Sequence, residues 1–141
     1  MSKHTLLIGL VVTVIALTSC GSGGQARVAE RPPGNADHGK TLFLEATIYN
    51  TPGCTTCHSL EPGKTVVGPS LAGIATRAEG IIESPAYKGS ATTVKGFLRE
   101  SITNPNDFIE THFSHSVMPD WLTTLSEREI DDLVAFLATL K

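Results

Sequence analysis

The chain has 141 residues, enough for one domain and too few for two of ordinary size. Acidic residues outnumber basic ones, 14 to 11, for a formal charge of −3, so nucleic acid, whose phosphates call for a basic face, is not an expected partner. Two of the three cysteines fall in one short motif, which leaves no pair for a structural disulfide. The compartment must therefore be read from the leader.

That leader begins with Lys3 and His4, followed by an apolar run from Leu6 to Leu17 broken only by Gly9 and Thr13. A positive start and about 12 apolar residues fit a secretory signal, whereas a membrane-spanning helix needs about 20. The run ends in Leu17-Thr18-Ser19-Cys20, which resembles a bacterial lipobox, whose cysteine is acylated and becomes the first mature residue. An ordinary signal peptide with a chance cysteine, or an uncleaved anchor, is the alternative. On the lipobox reading, residues 1–19 are a lipoprotein signal peptide and Cys20 is the lipidation site. Loss of Lys3 then takes the charge from −3 to −4.

From Gly21 to Asn35 the sequence runs GSGGQARVAERPPGN, rich in Gly and Pro and nearly devoid of large apolar side chains. Residues 20–35 therefore read as a lipid-anchored flexible tether, with an average span of roughly 20 Å as a random coil. A plain disordered terminus would look the same.

The domain occupies residues 36–141. Asp37 is placed to cap a first helix, with Leu42, Phe43 and Ala46 on one side. Gly39, inside that helix, costs about 1 kcal/mol relative to alanine, so another element should approach closely there. Next comes Cys54-Thr55-Thr56-Cys57-His58. Cys-x-x-Cys-His is the attachment sequence of a c-type haem. On a helical turn the two cysteines share a face and can reach the two vinyl groups of one porphyrin edge, while His58 turns toward the iron. A bare Cys-x-x-Cys also suits a redox dithiol or half a zinc site. Neither needs a histidine at that place, and no second cysteine pair exists to complete a zinc site.

Gly68-Pro69 is by itself a turn signal. The stretch from Glu79 to Ala91 shows no clear period and reads as a loop with one short helical turn. Thr92 or Thr93 can then cap a helix turning Val94, Phe97, Leu98 and Ile102 inward, and Asn104-Pro105 stops it. The clearest helix is the last. Ser126 and Glu129 form a capping box, and Ile130, Leu133, Val134, Leu137 and Leu140 make a continuous apolar face with Phe136 beside it.

Gly39 with Phe43, Cys54-Thr55-Thr56-Cys57-His58, Gly68-Pro69-Ser70-Leu71, Met118-Pro119 and the terminal amphipathic helix occur in that order. Together they resemble a small class I cytochrome c. The resemblance implies an all-α fold, with the N- and C-terminal helices crossing and the haem in a crevice between short helices and loops. It implies one haem c, covalent through Cys54 and Cys57. It maps the crossing onto Gly39, Phe43, Leu133 and Phe136, gives the Pro69 carbonyl as acceptor from the His58 ring, and leans Leu71 on the haem plane. It also gives His58 and Met118 as the iron ligands, because a proline follows Met118 directly. On residue type alone His112 and His115 stay open as sixth ligands, while His38 and Met1 are poorly placed. Trp121, Tyr49 and Tyr87 suit either porphyrin packing or ordinary core roles.

The function expected is one-electron carriage, not enzymatic catalysis, since both axial positions are filled by protein. Partners implied are membrane redox complexes, namely a quinol-oxidising complex and a terminal oxidase or reaction centre, together with the lipid membrane through acylated Cys20. Leu98 to Asn106 followed by Met-Pro is similar to cytochrome domains of respiratory complexes, and one resembling the bacterial alternative complex III is a candidate home. The location expected is extracytoplasmic and lipid-anchored. Two other classes compete: a haem-based ligand sensor or peroxidase-like catalyst with Met118 off the iron, and a dithiol module using Cys54 and Cys57.

Overall fold

A computed structural model of the chain describes residues 31–115 and 117–141. The leader, Cys20 and the tether as far as Glu30 lie outside the described residues. Five α-helices follow in order: Ala36–Leu44 (α1), Cys54–Cys57 (α2), Ile74–Glu83 (α3), Val94–Thr103 (α4) and Glu127–Leu137 (α5). A two-residue hairpin of Thr47–Ile48 (β1) and Thr51–Pro52 (β2) separates α1 from α2, and a 3₁₀ turn at Trp121–Thr123 precedes α5. The architecture is all-α with a vestigial sheet, as the resemblance implies.

The cap of α1 is Asn35 instead of Asp37. Asn35 Oδ1 accepts from the backbone N–H of Asp37 (3.0 Å) and of His38 (3.1 Å), which places Asp37 inside the first turn. There its charge still suits the positive end of the helix. At the other end of the domain, Ser126 and Glu129 form the reciprocal capping box of α5. The faces of these two helices then meet. A Cβ on Gly39 would stand 1.9 Å from the backbone oxygen of Asp132, so only glycine permits this approach. Phe43 and Phe136 pack with ring centroids 5.5 Å apart, and Ile130, Leu133, Val134 and Leu137 are buried.

Asp132 is the buried charged residue of this crossing, 2% exposed. Its Oδ1 accepts from the Asn35 backbone N–H (2.6 Å) and lies 3.2 Å from Arg128 Nε, and its Oδ2 accepts from His38 Nδ1 (2.7 Å). The segment ahead of α1 follows the same line of contacts. Arg31 pairs with Glu127 and, at 3.7 Å, with Asp131, while Arg99 from α4 pairs with both carboxylates. Residues 31–35, the end of the expected tether, thus touch α5 in the folded domain.

The stretch after Glu79 contains more helix than one turn, because α3 begins at Ile74 and runs to Glu83. Its period is carried by Ile74, Ala75 and Ala78, which are buried, and by half-buried Ile81 and Ile82. A window opened at Glu79 cuts that pattern in half, and Gly80 further masks it. Thr93 supplies the cap of α4 through Gly96 N–H (3.1 Å), and Phe97, Leu98 and Ile102 are buried as expected.

Burial alone would raise the Asp132 carboxyl, but the Asn35 N–H, the His38 ring and the Arg128 charge outweigh it and hold it below the ordinary carboxylate range. Between the folded and unfolded values the unfolded chain binds more protons. The stabilisation is therefore complete above the unfolded value, near pH 4, and is lost as pH falls through the folded one. Asp132→Asn is expected to cost about 1–3 kcal/mol at pH 7 and to flatten the acid limb of stability against pH, as measured by urea unfolding.

Candidate functional site

The hairpin delivers the Cys-x-x-Cys-His turn. Tyr49 and Asn50 both take positive φ (47° and 69°), which turns the chain in two residues as a type I′ hairpin requires. The returning strand brings Gly53 N–H to Ala46 O (2.8 Å), and Thr56 Oγ1 donates to the same carbonyl (3.0 Å). A side chain at Gly53 would meet Glu45 O at 2.0 Å, so the entrance to α2 is tightly held. The exit is held as well. Val67 and Gly68 N–H both donate to Cys57 O, at 3.2 and 2.8 Å, and Leu71 N–H donates to Ser59 O at 2.8 Å.

These bonds bring Pro69 against the ring of His58. His58 Nδ1 donates to Pro69 O at 2.9 Å, which fixes the tautomer and leaves Nε2 with its lone pair. A Cβ on Gly68 would sit 2.6 Å from His58 Cε1, so the ring is wedged against bare backbone. Burial pushes the imidazole below its ordinary value, against the opposite pull of the Pro69 carbonyl and Glu110. A neutral, oriented imidazole is the form that binds metal.

One cleft gathers Cys54, Cys57, His58, Pro69, Leu71 and Met118. Its walls are apolar: Phe43 from α1, Ile74 from α3, Phe97, Leu98 and Ile102 from α4, Leu133 and Leu137 from α5, with Phe108 and Trp121. His112 and His115 are exposed and lie off this lining, and so does His38, which is engaged with Asp132. Tyr49 donates to Glu129 (2.6 Å) and Tyr87 to Glu100 (2.7 Å), both off the cleft. Trp121 is buried and lines it. Cys20 lies outside the described residues.

Two residues not singled out from the sequence bear on the site. Arg77 donates to Ala72 O and to Ser70 O (2.8 Å), bracketing Leu71, and reaches Glu110 at 3.4 Å. Glu110 belongs to the loop that carries Met118 and lines the cleft. Thirty-three residues separate the pair, so no local spacing announces it.

The Cys54 thiol is pushed up to about 11 by burial, with Cys57 acting the same way and a backbone hydrogen bond opposing. Such a thiol is almost wholly protonated at neutral pH, unlike the activated cysteine of a redox dithiol. Two thiols on one helical turn, an oriented imidazole, a thioether and aromatic and aliphatic walls fit a covalently held porphyrin.

The comparisons with known proteins agree. Residues 36–141 match the family model described as cytochrome c. The chain is 33% identical over 115 residues to cytochrome c2 of Rhodoblastus acidophilus, covering 77% of this chain and 94% of that one. It is 32% identical over 118 residues to cytochrome c2 of Rhodopila globiformis, covering 78% and 97%. A shorter match, 38% identical over 61 residues, joins it to cytochrome c2 iso-1 of Magnetospirillum molischianum, covering 40% and 61%.

The chain belongs to the cytochrome c family. It carries one haem c held through Cys54 and Cys57, and it is a haem-based electron-transfer protein, not an enzyme.

Gly68→Ala is expected to push the His58 ring off the Pro69 carbonyl and cost about 1–3 kcal/mol. Gly80→Ala, where a Cβ meets nothing within 4 Å, is expected to leave stability unchanged or raise it by about 0.5–1 kcal/mol. Urea midpoints of the two holoproteins check the contrast.

Proposed function

We propose that this cytochrome shuttles single electrons between membrane redox complexes, with His58 and Met118 as axial ligands and Cys20 as its lipid anchor. The observation that supports the ligand pair is that Met118 shares one cleft with Cys54, Cys57 and His58, whereas His112 and His115 are exposed and off it. When bound, the haem supplies a one-electron ferric/ferrous couple. The chain does the rest. His58 is oriented by the Pro69 carbonyl, which strengthens it as a donor, and the apolar walls exclude water. Pro119 keeps Met118 in an extended loop, and a thioether there favours the reduced state relative to a second imidazole.

The partners that suit such a carrier are a quinol-oxidising complex on one side and a terminal oxidase or reaction centre on the other. Subunit status in a larger complex, such as one resembling alternative complex III, fits the same chemistry. Among the described residues no helix is long and apolar enough to cross a membrane. An acylated Cys20, after the apolar run of the leader, would hold the protein at the extracytoplasmic face. The relatives named cytochrome c2 support a carrier of this kind.

Visible spectra and redox titration of Met118→His test the ligand pair. The wild type is expected to show a sulfur-to-iron charge-transfer band when oxidised. The variant should lose it and titrate at a markedly lower potential, with the fold intact. An unchanged potential would remove Met118 from the iron. Carbon monoxide binding by the ferrous wild type at neutral pH would favour the sensor reading.

A further inference from the structure

Between α4 and the 3₁₀ turn, from Asn104 to Asp120, the described residues form neither helix nor strand, yet Phe108, Glu110, Phe113 and Met118 all line the haem cleft. A loop of this length needs ties to hold its side chains in place. Midway along it, Phe113 N–H donates to Glu110 O (3.1 Å) and closes a four-residue turn whose third residue, His112, has φ 78°. Turns take glycine at that position, and a histidine there is strained. The His112 side chain is exposed and off the cleft, so its own burial offsets nothing. Strain of this kind persists where surrounding contacts over-determine the backbone. One such contact stands at the first residue of the turn. Glu110 Oε1 lies 3.4 Å from Arg77 Nη2, with the two side chains 31% and 38% exposed. Arg77 is itself held, donating from α3 to the Ser70 and Ala72 carbonyls.

We propose that Glu110, held by Arg77, is a positioning residue for Met118: the pair latches the strained turn at Glu110–Phe113 to α3 and keeps the loop seated with Met118 in the cleft. The inference rests on the His58/Met118 reading and adds what retains the sixth ligand. Phe113 closes the turn against the cleft wall, and Met118 follows on the same loop. With the pair broken, the turn relaxes outward, and Met118 spends a larger fraction of time away from its place. The axial position then opens to an outside ligand, whose apparent affinity rises with the open population. Glu110 also stands close enough for its charge to reach the His58 ring. That effect is separable, because a charge acting on the ring needs neither Arg77 nor the backbone of His112.

Imidazole binding to the oxidised full-length holoprotein tests this, followed as loss of the sulfur-to-iron band. Glu110→Gln is expected to keep the band without imidazole and to bind imidazole about three- to tenfold more tightly than wild type, the range for losing a half-buried ion pair. Glu110→Asp keeps the charge but shortens the reach, and is expected to move the same way. On an Arg77→Gln background, Glu110→Gln is expected to add less than about twofold, because the pair is already gone. His112→Gly, which takes the positive φ without strain, is expected to bring the Glu110→Gln protein back toward the wild-type affinity by about threefold. A wild type without the sulfur band would remove the ligand reading and this inference with it. A wild type with the band, but with Glu110→Gln and Glu110→Asp binding imidazole as it does, would overturn the latch and leave the ligand reading intact. An effect of Glu110→Gln that is equal with and without Arg77, and absent in Glu110→Asp, would assign Glu110 to charge alone and overturn the proposal. So would a His112→Gly variant that reverses nothing.

Discussion

The crossing of α1 and α5 at Gly39 is the constraint on which the rest depends. Removing one side chain lets the backbone of α1 reach the Asp132 carbonyl, and that approach seats Phe43 on Phe136 and buries the apolar face of α5. The end of α1 then fixes where the hairpin starts. Ala46 O accepts from both Gly53 and Thr56, so the position of α2 is inherited from α1 through two residues of strand. An interior this small has few other means of holding a large cofactor cleft open while staying folded.

Asp132 gives that crossing an electrostatic centre. A buried carboxylate stabilises a fold only when its oxygens are well satisfied, and here a backbone N–H, an imidazole and a guanidinium meet them. All of these donors except Arg128 come from the start of α1 and the residue before it. The group therefore joins the two ends of the chain, across 97 residues, in one hydrogen-bonded unit. Around the cleft the polar ties are of another kind. They are backbone bonds to Cys57 and Ser59 and the reach of Arg77 to Ser70, Ala72 and Glu110, which set the loops around the cleft.

Much of the fold was legible because its signals are local. The capping box of α5, the period of α4 and the Cys-x-x-Cys-His turn each lie within a few residues, where spacing maps directly onto a helical face. Helix α3 was obscured because its apolar period begins in what looks like the tail of the Gly-Pro loop. Asn35 and Asp37 offer the same capping chemistry two residues apart, and only the path of the incoming chain decides for Asn35. The hairpin at Tyr49-Asn50 carries no signal in the sequence, since strands of two residues have no period.

By itself the sequence determined the cofactor chemistry and the helices at both ends, since covalent attachment and amphipathic period are properties of neighbouring residues. It also brought Gly39 forward as a place of close approach, because a helical glycine carries a cost that something must offset. Only the tertiary structure decided which distant groups meet. The Pro69 carbonyl faces the His58 ring, Met118 enters the cleft that His112 and His115 do not, and Arg77 finds Glu110. It also decided which side chains stand exposed along the cleft, Val67 and Val117 among them, since exposure follows from packing that no composition or spacing encodes.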